Sequence, residues 1–224
     1  MKILIPTSLE DVTIEQFIKY NRITKLEEVD DEVIMVSIIA NFCDLSVEDV
    51  LKIPIKDMKE IAQQIVDVLN TEPRDIQIYK DLGRIPNFDN ISAGEYIDLD
   101  KYFTDPENYH RAMAVLYRPI KKKLGSKYIL EDYKGSDDTC ESMLKLPLEL
   151  LLSSMVFFSN LNSELLKATR DFLQQPTAET ALLEKHLAQN GGQIGINQFT
   201  QLLEETILIL NEQRKPISIN FSLI

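Results

Sequence analysis

Tryptophan is absent from this 224-residue chain, cysteine and histidine occur only twice each, and there are seven glycines. Cys43 and Cys140 stand far apart, with no C-x-x-C spacing and no histidine near either in sequence, which gives little support to zinc or redox chemistry. They read as two reduced structural thiols. His110 and His186 are too few and too isolated to define a Ser/His/Asp or Cys/His arrangement, and each reads as a surface residue. The glycines of "GGQIG" lack the lysine and hydroxyl residue of a phosphate loop and read as helix punctuation. No catalytic residue, cofactor site or metal site is therefore expected.

Long apolar runs are missing too. "VIMVSIIANF" and "LELLLSSMVFF" fall well short of the roughly 20 residues needed to cross a bilayer. The amino-terminal apolar stretch breaks at Pro6, too soon for a secretory signal, so a soluble, cytoplasmic protein without membrane contact is expected. Basic charge is outnumbered: 24 Lys and Arg face 36 Asp and Glu, giving a net charge of -12 and a pI near 4.7. Such a chain repels phosphate on average, which argues against broad nucleic-acid binding.

What the chain does have is enough apolar content, 44% of residues, for a packed core. Thr13 with Gln16, Ser46 with Asp49, and Ser92 with Glu95 have capping-box spacing, each ahead of a helical pattern. "EEVDDEVIMVSIIANFC" sets Asp30, Asp31 and Glu32 where a helix N-terminus favours negative charge. Asp57 opens "DMKEIAQQIVDVLN", with Met58, Ile61, Ile65 and Leu69 on one stripe. Pro147 opens the most apolar helix, whose Leu148, Leu151, Leu152, Met155, Phe158 and Leu165 are assigned to the core.

The pattern changes after Thr71. Ile76, Ile78 and Ile85 alternate around Gly83, predicting a hairpin whose turn uses Gly83 at positive φ, and "KYILEDY" after Gly125 supplies a third strand. The expected class is mainly α with an α+β character: a helical domain carrying a small antiparallel sheet of about three short strands. Residues 1–70 read as an N-terminal helical unit, 71–175 as an α+β core and 176–224 as C-terminal helices and a tail, with one compact domain as the alternative.

In "PENYHRAMAVLYRPIKKK", Asp105 and Pro106 begin a helix on which Tyr109, Ala112, Met113, Leu116 and Tyr117 recur at the helical period. Arg118 precedes Pro119, which ends the helix, and Lys121, Lys122 and Lys123 complement its C-terminal dipole. A sharper alternative sets Arg111, Arg118 and the lysines against an acidic partner or a nucleic-acid backbone. Asp98 with Asp100, and Asp137 with Asp138, read as solvated loop carboxylates. Candidate partner-binding residues are Tyr109, Met113, Tyr117 and Arg118, with Ile219 and Phe221 in the alternating tail "ISINFSLI"; Tyr96, Tyr102 and Phe103 are further candidates.

The order "TIEQFIKY", "ANFCDLSVEDVLKI", "IPNFDNISAGEYIDLDKYF", "MAVLYRPI", "KYILEDYKG", "LPLELLLSSMVFF" resembles a group of tailed-bacteriophage proteins described as tail or baseplate-hub assembly chaperones. The likeness spans residues 13–172, and "GEYIDLDKY" and "MAVLYRP" are its most specific pieces. It implies a non-enzymatic role: binding a tail, tape-measure or baseplate-hub protein in the host cytoplasm during assembly, with a homo-oligomer compatible. It brings no catalytic residues. A structural virion protein of the neck, tail or baseplate is the alternative, and a small nucleic-acid-binding regulator using Arg111, Arg118 and the lysines a third.

Overall fold

A computed structural model describes residues 2–25, 30–125 and 127–174. Four helices come first, α1 (Ile14–Thr24), α2 (Asp31–Phe42), α3 (Val47–Val50) and α4 (Ile55–Leu69). Strands β1 (Ile78–Tyr79) and β2 (Leu82–Arg84) lead to α5 (Ala93–Phe103) and α6 (Tyr109–Leu116). Then follow β3 (Tyr117–Leu124), β4 (Lys127–Leu130), α7 (Cys140–Met143) and α8 (Leu148–Gln174). The class is mainly α with an antiparallel sheet of four strands, in order β1-β2-β3-β4. Residues 2–155 belong to one compact unit and 156–174 to a second. No helix among the described residues is long and apolar enough to cross a membrane. His186, Ile219, Phe221 and the expected C-terminal helices lie outside the described residues.

The helix starts follow local chemistry. Both halves of the Thr13/Gln16 and Ser92/Glu95 capping boxes are made, and Ser46 accepts from the Asp49 N–H. The helix expected at Asp57 begins two residues earlier, at Ile55 after Pro54, with Asp57 in its first turn. Asp105 caps a single 3-10 turn, Pro106–Asn108, ahead of α6. At the head of α1, the N–H groups of Ile14 and Glu15 donate to the carbonyls of Leu146 (3.0 Å) and Leu144 (2.9 Å). Donors that a helix leaves unpaired at its N-terminus are thus satisfied by the approach to α8.

Residues 112–117 are all 2% exposed or less. The expected amphipathic helix is therefore buried on every side over its last five residues, because α6 packs against α1, α5 and α7. The chain passes from Leu116 in α6 to Tyr117 in β3 without a connecting loop. The lysines expected beyond a helix end, Lys121, Lys122 and Lys123, instead lie on β3, exposed. Pro119 drives Arg118 out of helical geometry, and β2 then offers a pairing edge, with Gly83 opposite Arg118 and Arg84 opposite Tyr117. Pro119 accepts from the Glu131 N–H at 3.0 Å but has no N–H to return, and β4 ends at Leu130.

Gly83 does not make the turn. Lys80 does, at φ 55, while Gly83 sits inside β2. A Cβ there would lie 2.7 Å from Tyr128 Cε2 and 2.8 Å from Leu130 Cδ2, so the glycine is required by close approach. Gly125, at φ +62, makes the β3–β4 turn as expected. Next to the sheet, Arg74 grips Glu149 through two bonds, Nε to Oε1 at 2.7 Å and Nη2 to Oε2 at 2.8 Å, and also pairs with Glu10. The Glu149 side chain is 6% exposed, and the hydrogen bond from Arg74 holds its pKa below the usual value.

Gly83→Ala is expected to cost about 1–3 kcal/mol by overpacking against Tyr128, read as a lower urea midpoint; Gly83→Ala with Tyr128→Ala should show strong coupling in a double-mutant cycle. A carboxylate with a depressed folded pKa stabilises above its unfolded pKa of about 4.3 and loses that contribution as pH falls through the lower folded value. Glu149→Gln should accordingly flatten the acid limb of stability against pH. An unchanged acid limb would assign the loss to other carboxylates.

Candidate partner-binding groove

The structure places Met113 and Tyr117 in the core, both 0% exposed. They have no surface to offer a partner in this fold, which corrects their assignment as contact residues. Tyr117 donates its hydroxyl to the Ile76 carbonyl, and burial pushes its pKa up to about 12. Tyr109 is half-buried between Phe17 and Phe103, with both ring centroids 6.4 Å away, and so joins α1 to α5. Tyr96, Tyr102 and Phe103 are each half-buried.

Arg118 is bound inward. Its Nη2 lies 2.7 Å from Glu95 Oε1, with side chains 13% and 5% exposed, and its guanidinium lies 5.8 Å from the Tyr133 ring centre. The other oxygen of Glu95 accepts the Ser92 N–H at 2.6 Å, so one carboxylate caps α5 and anchors β3. Tyr133 donates to Asp98 at 2.5 Å; burial, then that hydrogen bond, raises its pKa. Ser92, Glu95, Arg118 and Tyr133 line a cleft of about 460 Å³ together with Tyr128 and Ile129. Arg111 is paired as well, with Asp137. Both arginines of the nucleic-acid alternative are thus neutralised by carboxylates. Asp98 and Asp100 lie on α5 and not in a loop.

The surface that sequence reasoning missed lies on the N-terminal helices. α2 carries apolar residues around its whole circumference, yet buries only Met35, Ile38, Ile39 and Phe42. Its Val33 stays 52% exposed, and Ser37, Ala40 and Asn41 further along line a groove of about 690 Å³ shared with α1. Ile23, Leu45 and Val47 add apolar lining, and the exposed side chains of Leu51 (65%) and Ile55 (56%) follow Val47 along the chain. A bracket of amides fixes the groove: Gln16 Nε2 donates to the Asn41 carbonyl at 2.9 Å, and Asn41 Nδ2 to the Gln16 carbonyl at 2.7 Å. Glu15 and Lys19, paired at 2.7 Å, line it with Arg22 and Asp44. Asp44 holds φ 54 past the end of α2, where the Leu45 N–H closes back on the Ala40 carbonyl at 3.0 Å. The sequence carried little signal for it, since α2 packs against α1, α3 and α4 and so needs apolar residues on several faces in any case.

One further cluster is assembled by the fold, His110 of α6 with Cys140 and Glu141 of α7. Cys43 is buried, which raises its thiol pKa to about 11 and keeps it unreactive. Comparison of the chain with protein-family models, curated proteins and solved structures finds no match.

Breaking the Arg118–Glu95 pair by Glu95→Gln should cost about 3–5 kcal/mol in urea unfolding, because it strands a buried guanidinium; replacing both residues by leucine should recover most of that loss. A small effect of Glu95→Gln would show that the arginine reaches solvent.

Proposed function

We propose that this chain is a non-enzymatic assembly factor that binds an amphipathic helix of another protein in the α1–α2 groove. The observation that carries the reading is the α1–α2 groove itself. Its apolar lining, Ile23, Ala40, Leu45 and Val47, is ringed by Glu15, Lys19, Arg22 and Asp44, with the exposed Val33 close by on α2, and an apolar strip edged by charge is what helix-in-groove recognition uses. The resemblance in motif order names the setting: morphogenesis of a tailed phage, with a tail, tape-measure or baseplate-hub protein as partner in the host cytoplasm. Retention in the finished particle as a structural protein is the competing reading, and it differs only in where the chain ends up.

The test is affinity capture from phage-infected cells with mass spectrometry, alongside a search for the chain in purified particles. Recovery of a tail or hub component from lysate, with the chain absent from particles, fits the proposal; stoichiometric presence in particles converts it to the structural reading. Val47→Asp should weaken capture at least about tenfold, about 1.4 kcal/mol, and Leu51→Asp should do the same where the partner helix runs on beyond the groove, while exposed positions like these should shift stability by only about 0.5 kcal/mol. Capture unaffected by Val47→Asp rejects the groove. A change in sedimentation of the isolated protein on the same substitutions would instead make it a self-association surface.

A further inference from the structure

His110 and the pair Cys140 and Glu141 are remote in sequence, yet α6 and α7 pack together and bring them side by side. One ligand atom from each, an imidazole nitrogen, the thiol sulfur and a carboxylate oxygen, lies within 4.8 Å of the other two. Their exposure is graded: Cys140 is 2% exposed, His110 half-buried and Glu141 at the surface. An ion could therefore enter past Glu141 and meet the sulfur below. Nδ1 of His110 is shielded from water and meets no partner in ordinary hydrogen-bond geometry, although the Glu107 backbone carbonyl acts on the ring. The Cys140 thiol makes a weak contact, donating to the Asp137 carbonyl at 3.5 Å.

We propose that His110, Cys140 and Glu141 bind a divalent transition-metal ion, with Zn²⁺ the best fit, that clips α6 to α7 and leaves a fourth position to water or another ligand. The donor set decides the metal class. Imidazole, thiolate and carboxylate suit zinc, whereas Mg²⁺ and Ca²⁺ call for oxygen ligands. Tetrahedral bonds of about 2.0–2.3 Å put ligand atoms about 3.3–3.8 Å apart, so the cluster needs to close by about 1 Å, within reach of side-chain rotation. Binding exchanges the thiol proton for the metal–sulfur bond and releases that proton to solvent. Thiolate and carboxylate then balance the two charges of the ion. Arg111, the neighbouring cation, is offset by its pairing with Asp137.

The experiment uses the full chain, reduced and stripped of metal, titrated with Co²⁺ as a spectroscopic stand-in. A thiolate-to-cobalt charge-transfer band and strong tetrahedral visible bands are expected, both bleached by Zn²⁺. Zn²⁺ should also raise the thermal midpoint, and a chelator should reverse the rise. Cys140→Ser should remove the charge-transfer band, and Cys43→Ala should keep it. His110→Gln and Glu141→Gln should each weaken affinity by at least the ~10–100-fold typical of losing even an outer partner; Glu141, being exposed, is the substitution least able to disturb the fold. Absence of the band in the wild-type chain, its survival in Cys140→Ser, or unchanged affinity in both His110→Gln and Glu141→Gln overturns the site.

Discussion

The helix-to-strand junction at residues 112–117 is the constraint on which the rest of the first unit depends. Six consecutive residues buried on every side demand cover from all directions, and α1, α5 and α7 supply it around α6, while β2 and β4 flank β3. Tyr117 is the pivot. Its ring enters the core as the backbone changes from helical to extended, and its hydroxyl finds the Ile76 carbonyl, so a buried polar tip is satisfied at the point where the two layers meet.

Around that junction, polar side chains take two duties each. Glu95 caps α5 and holds Arg118 of β3; Gln16 completes the α1 capping box and brackets Asn41 of α2; Glu149 opens α8 and grips Arg74. Each couples a local helix start to a distant partner, which makes the secondary structure and the packing mutually supporting. The same pairing takes up the arginines near α6, Arg111 by Asp137 and Arg118 by Glu95.

Much of the helical part was legible in the sequence, because its signals are local. Thr13, Ser46 and Ser92 mark helix starts through bonds made within three residues, and Gly125 marks a turn through its own backbone angle. β3 was hidden because three lysines have weak strand preference and because β2, its partner at Tyr117–Pro119, lies over thirty residues upstream; only β4, across the Gly125 turn, is near in sequence. Gly83 was assigned a turn for the same reason: the Tyr128 ring that excludes a side chain comes from another part of the chain. The groove was not legible, since the apolar residues of α2 serve its packing against α1, α3 and α4, and which positions stay uncovered depends on how those helices meet.

Composition and local periodicity by themselves determined a mainly helical protein with a small antiparallel sheet and the caps that begin its helices. Tertiary structure alone decided that Met113, Tyr117 and Arg118 face inward, that Lys121, Lys122 and Lys123 ride a strand, and that His110 meets Cys140. The physical reason is the range of the interactions. A cap or turn is closed by neighbours within a few residues, while burial and side-chain encounter depend on which segments the whole chain brings together.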